Sequence, residues 1–380
     1  MDSILILGGG TQGLATVSSL KHSGYRVVLL CPDRNNYADR SRCVDKRYSY
    51  DHNIKDADLI NFIKKILVDE NIKAILPMGD GLAEFLCKYK NEIEKYVNKI
   101  GLPSLDVFYK GYDKNQLMTL CANKGYPHPE SIDMSGVSLS NDVLKNFFYP
   151  ALLKPNCTTG GRGMKIVNSY EEMKSVYDGL RAQYGDYHLQ RFVRAGGRQV
   201  KIQVLLDENG NMVCSSVLHK VRWYPVKGGS SCCNISIESP DDVNVCYNIL
   251  KDIGWNGFAD FDLIEDPDSG KLLVMEINPR LPACIKGAIA AGINWPEIIV
   301  NYILDRPQKE YKYTSAMALR HLGLDTLWFF KSSNRWKTKP SWFKFFGKKV
   351  SYQDMNGWSD PMPFIAGTFN NMKKIFSGKK

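Results

Sequence analysis

The chain lacks any run of about 18 apolar residues, so nothing in it reads as a membrane span. Its first residues carry no basic stretch followed by a long apolar one, so no secretory leader is expected. Ten cysteines are present, at Cys31, Cys43, Cys87, Cys121, Cys157, Cys214, Cys232, Cys233, Cys246 and Cys284. None takes a C-x-x-C or Cys/His metal spacing, which argues against a zinc site. The scatter suits a reducing cytoplasm better than a disulfide framework. No internal repeat or low-complexity tract exists, so solenoids are excluded. Acidic residues are scarce in one region only. Residues 331–380 hold eleven Lys/Arg against Asp354 and Asp360, a balance of +9 out of a chain total of +10. A general nucleic-acid surface is therefore not expected; a local basic tail is.

What is present is ordinary globular composition, 44% hydrophobic and 24% charged over 380 residues, enough for two or three domains. Residues 1–100 alternate strand-like and helix-like runs: "ILIL", a helix near 11–23, "RVVLL", a helix near 56–70, "KAILPMGD", and a helix near 81–97. Such alternation marks a parallel sheet with crossover helices. The first turn, Gly8-Gly9-Gly10-Thr11-Gln12-Gly13, fits G-x-G-x-x-G, and Asp33 follows twenty residues later, the pattern of a dinucleotide site. The layer is too short for a six-stranded dinucleotide domain, so the glycines are read as a tight turn that can also face a substrate. Residues 113–124 read as a helix, with Asp113 as N-cap and Gly125 ending it. Short strands separated by glycine turns follow, including a hairpin at "DENGN" and another about Asp268-Ser269-Gly270. A helical stretch, 285–304, closes this part.

The chemistry concentrates in "LVMEINPR" (273–280) and its partner strand "DFD" (260–262). Glu276 and Asn278 lie two apart, hence on one strand face, with Asp262 opposite. Oxygen ligands converging from paired strands suit Mg²⁺, which keeps waters and takes substrate phosphates. Arg280 follows, a planar fork for phosphate or carboxylate. Upstream, "LLKPNCTTGGRGMKIV" ends a strand on Lys154. Gly160, Gly161, Arg162 and Gly163 then form a loop whose N–H groups can cradle an anion.

The ordered set K-P…GGRGM…L-Q-R-F-V…I-Q-V…D-F-D…M-E-I-N-P-R resembles the ATP-grasp superfamily. Within it, the chain resembles biotin carboxylase and the carbamoyl-phosphate synthetase large subunit over roughly residues 1–305. The resemblance implies an α/β (α+β) ATP-grasp fold behind a Rossmann-like leader domain. The expected units are 1–108 for the leader and 109–308 for the grasp, with a lid subdomain near 120–190 and a large subdomain near 191–308. A basic aromatic region, 309–380, follows. ATP and Mg²⁺ (or Mn²⁺) are the implied cofactors. Lys114, Lys154 and the Gly160–Gly163 lid would meet the phosphates. Gln190, Arg191, Phe192 and Val193 match the adenine segment. Asp262, Glu276 and Asn278 match the metal ligands, and Arg280 the arginine beside the acyl phosphate. This chain departs from relatives in having Gln190 for Glu, and Gln199 or Lys201 where they put Glu or His against the ribose. "LHKVRWYPVKGGSSCCNISIES", with "WSDPMPFIAG" (358–367), resembles a subgroup associated with cell-surface polysaccharide biosynthesis. Its basic run places Lys220 and Arg222 as catalytic candidates facing an anionic substrate.

The implied activity is that of a cytoplasmic ligase. It would activate a small-molecule carboxylate as an acyl phosphate for attack by an amine, without nucleic acid. No Ser/His/Asp or Cys/His arrangement is visible, as such chemistry needs no protein nucleophile. Alternatives are carboxyphosphate formation, for which 380 residues are too few to hold a duplicated grasp, and a non-catalytic ATP-binding module. The tail interleaves Trp328, Trp336, Trp342, Phe343, Phe345 and Phe346 with basic residues. Packing on the ligase core is the favoured reading there, and contact with an anionic membrane the second.

Overall fold

The N-terminal apolar runs form a parallel sheet in this computed structural model, which describes residues 1–32, 36–158, 160–226, 228–357 and 359–376. β1 (Ser3–Leu7), β2 (Arg26–Cys31), β3 (Lys46–Ser49) and β4 (Ile72–Pro77) lie in the order β3-β2-β1-β4. Every residue of β1 is buried, as a strand covered on both faces requires. Between the strands run α1 (Gly10–His22) and α2 (Asp56–Asp69). The buried residues of α2, namely Leu59, Ile60, Ile63, Ile66 and Leu67, recur at helical spacing and face the sheet core. α3 (Asp80–Lys88) and the short α4 (Lys90–Ile93) follow. The strand order reverses between β1 and β4, so their C-terminal loops open on a common crevice, the usual ligand position of such sheets. Gln12 Nε2 donates to the Met78 carbonyl (2.9 Å) and ties those two loops together.

α5 (Leu105–Tyr112) and α6 (Lys114–Lys124) lead out of this layer. The Asp113 side chain accepts from Gln116 N–H, and Gly125 ends α6 at φ 72°, as the sequence predicts. A small antiparallel sheet, order β5-β8-β6-β7, comes next. It comprises β5 (Ser131–Asp133), β6 (Ala151–Pro155), β7 (Lys165–Val167) and β8 (Tyr187–Arg191), with α7 (Asp142–Lys145) and α8 (Tyr170–Tyr184). Its core, including Leu144, Leu153, Met173, Tyr187 and Leu189, is separate from the larger ones.

The largest sheet has seven strands, ordered β13-β12-β9-β10-β11-β14-β15. β9 (Gln199–Leu206) and β10 (Met212–Tyr224) form the expected hairpin about Asp207–Asn211. β11 (Ser230–Ser236) and α9 (Pro240–Ile253) precede the pair β12 (Gly257–Glu265) and β13 (Leu272–Asn278). The helical stretch expected at 285–304 is two helices, α10 (Lys286–Ala290) and α11 (Trp295–Ile303). Gly292, at φ 105°, breaks it, because its Cβ-free backbone approaches the Lys312 carbonyl. The C-terminal region continues the same sheet through β14 (Ala318–Arg320) and β15 (Val350–Tyr352), which flank α12 (Leu322–Lys331); α13 (Met362–Phe376) comes last. Asp360 accepts from Ser41 Oγ (2.6 Å) and Arg42 N–H (3.2 Å), so the chain end is fastened to the leader layer.

Candidate active site

β12 and β13 pair antiparallel, which sets Asp262 opposite Glu276 and Asp260 opposite Asn278. Lys201, on β9, stands opposite Asp262. Its Nζ donates to Asp260 Oδ2 and Asp262 Oδ2, both at 2.7 Å. Lys220 Nζ reaches the other oxygen, Asp262 Oδ1, at 2.5 Å. Burial alone would raise the Asp262 pKa, but the two ammonium groups outweigh it and hold the carboxyl well below its usual range. Burial likewise opposes the charge on Lys201, and Asp260 and Asp262 overcome it. Asn278 Nδ2 donates to Asp262 Oδ2 at 3.2 Å.

These groups line a pocket of about 610 Å³. From β12 and β13 come Asp262, Glu276 and Asn278, and from the turn after β13, Arg280; from β9 and β10, Lys201 and Lys220; from the glycine lid, Gly160. The leader supplies Gly10, Thr11, Gln12 and Tyr37, and the C-terminal region His321, Leu324 and Gln353. Arg280 Nε is 2.8 Å from Asp80 Oδ1, at the start of α3. Lys114 is buried beside the pocket. Its Nζ donates to the Thr158 carbonyl (2.8 Å) and lies 3.5 Å from Glu276 Oε2, joining the root of the lid to that acid.

A second cavity, about 400 Å³, lies beside β6 and β8. Leu152, Ile166, Phe192, Val193 and Met275 give it apolar walls, and Lys154, Gln190 and Gln199 give it polar groups. Lys154 is 3% exposed, and its Nζ donates to Gln190 Oε1 at 3.3 Å. It has no ion pair among the described residues. Burial pushes its pKa down to about 8, against the pull of Glu276. Gln190 Nε2 and His188 Nε2 are buried without partners. A buried ammonium and an orphaned amide beside an apolar slot are what a purine with phosphates would satisfy. In the lid, Gly160, Gly161 and Gly163 all have positive φ. A Cβ at Gly163 would sit 2.8 Å from Pro155 and Tyr184, so that position requires glycine.

Several expectations need correction. Arg222 does not face the pocket. It is fully buried, with Nε and Nη2 donating to the Asp325 carboxylate (2.6 and 2.9 Å) and Nη1 to the Pro340 carbonyl (2.7 Å). Simple alternation would put Lys220 and Arg222 on one face, but β10 bulges between them: Lys220 pairs with Asn234 and Arg222 with Cys233, so Arg222 turns to the other face, where Asp325 on α12 takes it. Arg191 pairs its N–H with Glu130 O and its side chain with Asp266 (3.2 Å), away from the slot that Gln190, Phe192 and Val193 line. Lys201 is committed to two carboxylates, which leaves Gln199 as the residue at the slot. Arg162 lines neither cavity. Asp33 and Lys227 lie outside the described residues.

The site also contains groups the sequence did not announce. His321 stands at the N-cap position of α12; its Nδ1–H donates to Asp354 Oδ2 at 3.0 Å, the nearer group, so Leu324 N at 3.5 Å finds no acceptor on that nitrogen. Burial would raise the Asp354 pKa, but His321 and the Leu322 N–H lower it. Gln353 Nε2 donates to Thr11 Oγ1 at 3.0 Å, so C-terminal region and glycine turn share one wall. No motif signals His321 or Asp354, because they meet only when β14 and β15 pair.

The donors fit Mg²⁺. That ion needs one or two protein carboxylates besides water and phosphate. Glu276 is partly exposed toward the pocket, with the Asn278 amide two residues on. Asp262 is already neutralised by two lysines. Among the described residues no three His, Cys, Asp or Glu side chains form a closed cage. An open two-donor site is the kind that leaves room for a triphosphate.

Comparison with known proteins agrees with this geometry. Residues 113–232 match the family described as carbamoyl-phosphate synthase L chain, ATP binding domain. The carbamoyl phosphate synthase large chain of Pseudothermotoga lettingae is 25% identical over 311 residues, covering 74% of this chain and 27% of that protein. The chain thus spans about a quarter of that relative's length. A biotin carboxylase–β-γ-ATP complex from Campylobacter jejuni superposes with TM-score 0.68 at 17% identity, over 82% of this chain and 73% of the other. An L-amino acid ligase from Bacillus licheniformis does so with TM-score 0.60 at 14% identity, over 80% and 74%. The architecture is the ATP-grasp fold. Residues 113–232 are similar to the ATP-binding domain of the carbamoyl-phosphate synthase large chain, and the fold is shared with biotin carboxylase.

Proposed function

We propose that the protein is an ATP- and Mg²⁺-dependent ligase that activates a small-molecule carboxylate as an acyl phosphate and joins it to an amine. The observation that carries this reading is the 610 Å³ pocket. Phosphate-binding and metal-binding groups occupy one wall, and the leader and C-terminal region close the others, leaving a chamber for reactants beside the nucleotide slot.

The adenine enters between Phe192, Val193 and Met275, and Lys154 and the lid meet the phosphates. Glu276 and Asn278 would hold Mg²⁺, which when bound would neutralise phosphate charge. The substrate carboxylate attacks the γ-phosphorus, and ADP leaves with the electrons of the broken P–O bond. Arg280, steadied by Asp80, and Lys220, steadied by Asp262, face the charge on the transferred group. The catalysis is positioning and electrostatics. The amine then attacks the acyl carbon and inorganic phosphate departs. The proton lost by the amine passes to His321 Nε2, because Asp354 holds the other ring nitrogen as a donor. The units we assign to this chemistry are 1–108, 109–308 and 309–380, the last adding β14 and β15 to the large sheet. A role in polysaccharide assembly in the cytoplasm rests on the segment 218–239 and its resemblance.

A second reading, carboxyphosphate formation from bicarbonate, draws on the likeness to carbamoyl-phosphate synthase. Phosphate release from Mg-ATP, measured with a panel of amino acids, uronic acids and amines, separates the two. Release that needs both a carboxylate and an amine supports the ligase. Release driven by bicarbonate alone supports the second reading, and turnover unchanged by Glu276→Ala sinks both.

A further inference from the structure

The basic aromatic segment after α12 is built as a surface, and it has no part in the site above. Four large aromatics there are exposed: Phe330 at 66%, Trp336 at 71%, Phe343 at 55% and Phe346 at 86%. Three of them are contiguous. Phe329 lies at the centre, with Phe330, Trp336 and Phe343 ring centroids 5.4–5.7 Å from it. Along the same segment Lys331, Lys337, Lys339, Lys344, Lys348 and Lys349 are exposed. None of these lysines is in an ion pair among the described residues. Between Asp325 and Asp354 the sequence contains no Asp or Glu at all. The positive charge is therefore not offset locally, and the surface should strengthen or weaken with ionic strength.

The platform is preformed. Asp325 is fully buried and accepts from Arg222 and from Arg320 Nε (2.7 Å). Those arginines in turn donate to the carbonyls of Pro340 (2.7 Å) and Lys344 (2.9 Å), and Trp342 Nε1 donates to the Asp325 carbonyl (2.9 Å). The stretch about Phe343 is thus tied through Pro340, Trp342 and Lys344 to a buried ionic node. Exposed rings here are fixed outward, at a standing cost in hydrated apolar area.

We propose that residues 327–349 dock the protein on an anionic lipid bilayer. The composition selects this occupant. Protein interfaces favour aromatics but are depleted in lysine, and here six exposed lysines interleave with the aromatics along the segment. Single-stranded nucleic acid needs open ring faces, whereas Trp336 and Phe343 stack on each other (5.6 Å, 21°). Exposed indole and phenyl rings on a lysine-rich segment match the interfacial zone of a membrane carrying acidic headgroups. Among the described residues no helix is long and apolar enough to cross a bilayer, so the contact lies on the surface.

The test is co-sedimentation of the full chain with vesicles of phosphatidylcholine alone and with phosphatidylglycerol added. Pelleting is expected only with the anionic vesicles and should fall as salt rises. Each of Lys337→Glu, Lys339→Glu and Lys348→Glu should weaken partitioning about fivefold or more. The pair Trp336→Ser and Phe346→Ser should weaken it at every salt concentration. An unchanged thermal shift with Mg-ATP confirms that each variant is folded. Equal pelleting with both vesicle types, or with neither, overturns the proposal. So does full binding by the charge-reversed variants, or tighter binding to a single-stranded oligonucleotide than to anionic vesicles.

Discussion

Replacing Lys154 by methionine should make the protein more stable and unable to bind ATP. Lys154 is 3% exposed and its pKa is pushed from 10.5 to about 8 by burial. A displacement of that size corresponds to about 3 kcal/mol by which the folded protein disfavours the charged ammonium. The folded pKa lies below the unfolded one, so the unfolded chain binds more protons between pH 8 and 10.5. Stability contributed by this position therefore rises with pH across that window, and the full penalty stands below pH 8. Methionine removes the penalty with little change in volume and forfeits one hydrogen bond to Gln190, worth about 1 kcal/mol. A net gain of about 2 kcal/mol is expected at pH 7, a few degrees in Tm, vanishing above about pH 10.5. Nucleotide should restore the balance in the wild-type protein only, because phosphates supply the missing counter-charge. In calorimetry, wild-type binding of ATP should weaken about tenfold per pH unit above pH 8 and take up a proton; the variant should show neither effect. A Lys154→Met protein that is less stable at pH 7, or that binds ATP with the wild-type pH profile, would refute the reasoning.

Other predictions address the remaining groups. Glu276→Ala should lower ATP turnover at least 100-fold in saturating Mg²⁺, an effect of about 3 kcal/mol or more on the barrier; turnover within tenfold of wild type argues against its place beside the phosphates. His321→Asn should cut amide formation about 100-fold while ADP binding, followed by calorimetry, is retained. Hydroxylamine, which needs no base at neutral pH, should still trap the activated carboxylate in that variant. Asp325→Ala leaves Arg222 and Arg320 as uncompensated buried charges and should cost about 3–5 kcal/mol in denaturant unfolding. A loss below 1 kcal/mol would mean that water reaches the node.

Local sequence carried a large part of this architecture. The apolar runs of β1, β2 and β4 needed burial on both faces, and a parallel sheet supplies it. Asp113 and Gly125 bounded α6 because cap and left-handed turn are local chemistry. Glu276 and Asn278 are spaced by strand geometry, so alternation along β13 alone brings them to one pocket, with Arg280 just past the strand end. Side-chain partners across the fold are another matter. Alternation along β10 would put Lys220 and Arg222 on one face, and nothing in that strand announces the bulge between them or that Asp325, 103 residues later, will hold the arginine out of the site. Lys201 looked like a ribose contact until β12 set two carboxylates beside it.

Two features were decided by tertiary structure entirely. His321 and Asp354 meet because β14 and β15 pair side by side. The pocket closes because Gln353 and Asp360 bind the leader at Thr11 and Ser41. Spacing of residues along one element is fixed by backbone geometry and can be read from the chain. Which charges neutralise one another depends on contacts more than a hundred residues apart, set by the packing of whole layers, and no local pattern encodes it.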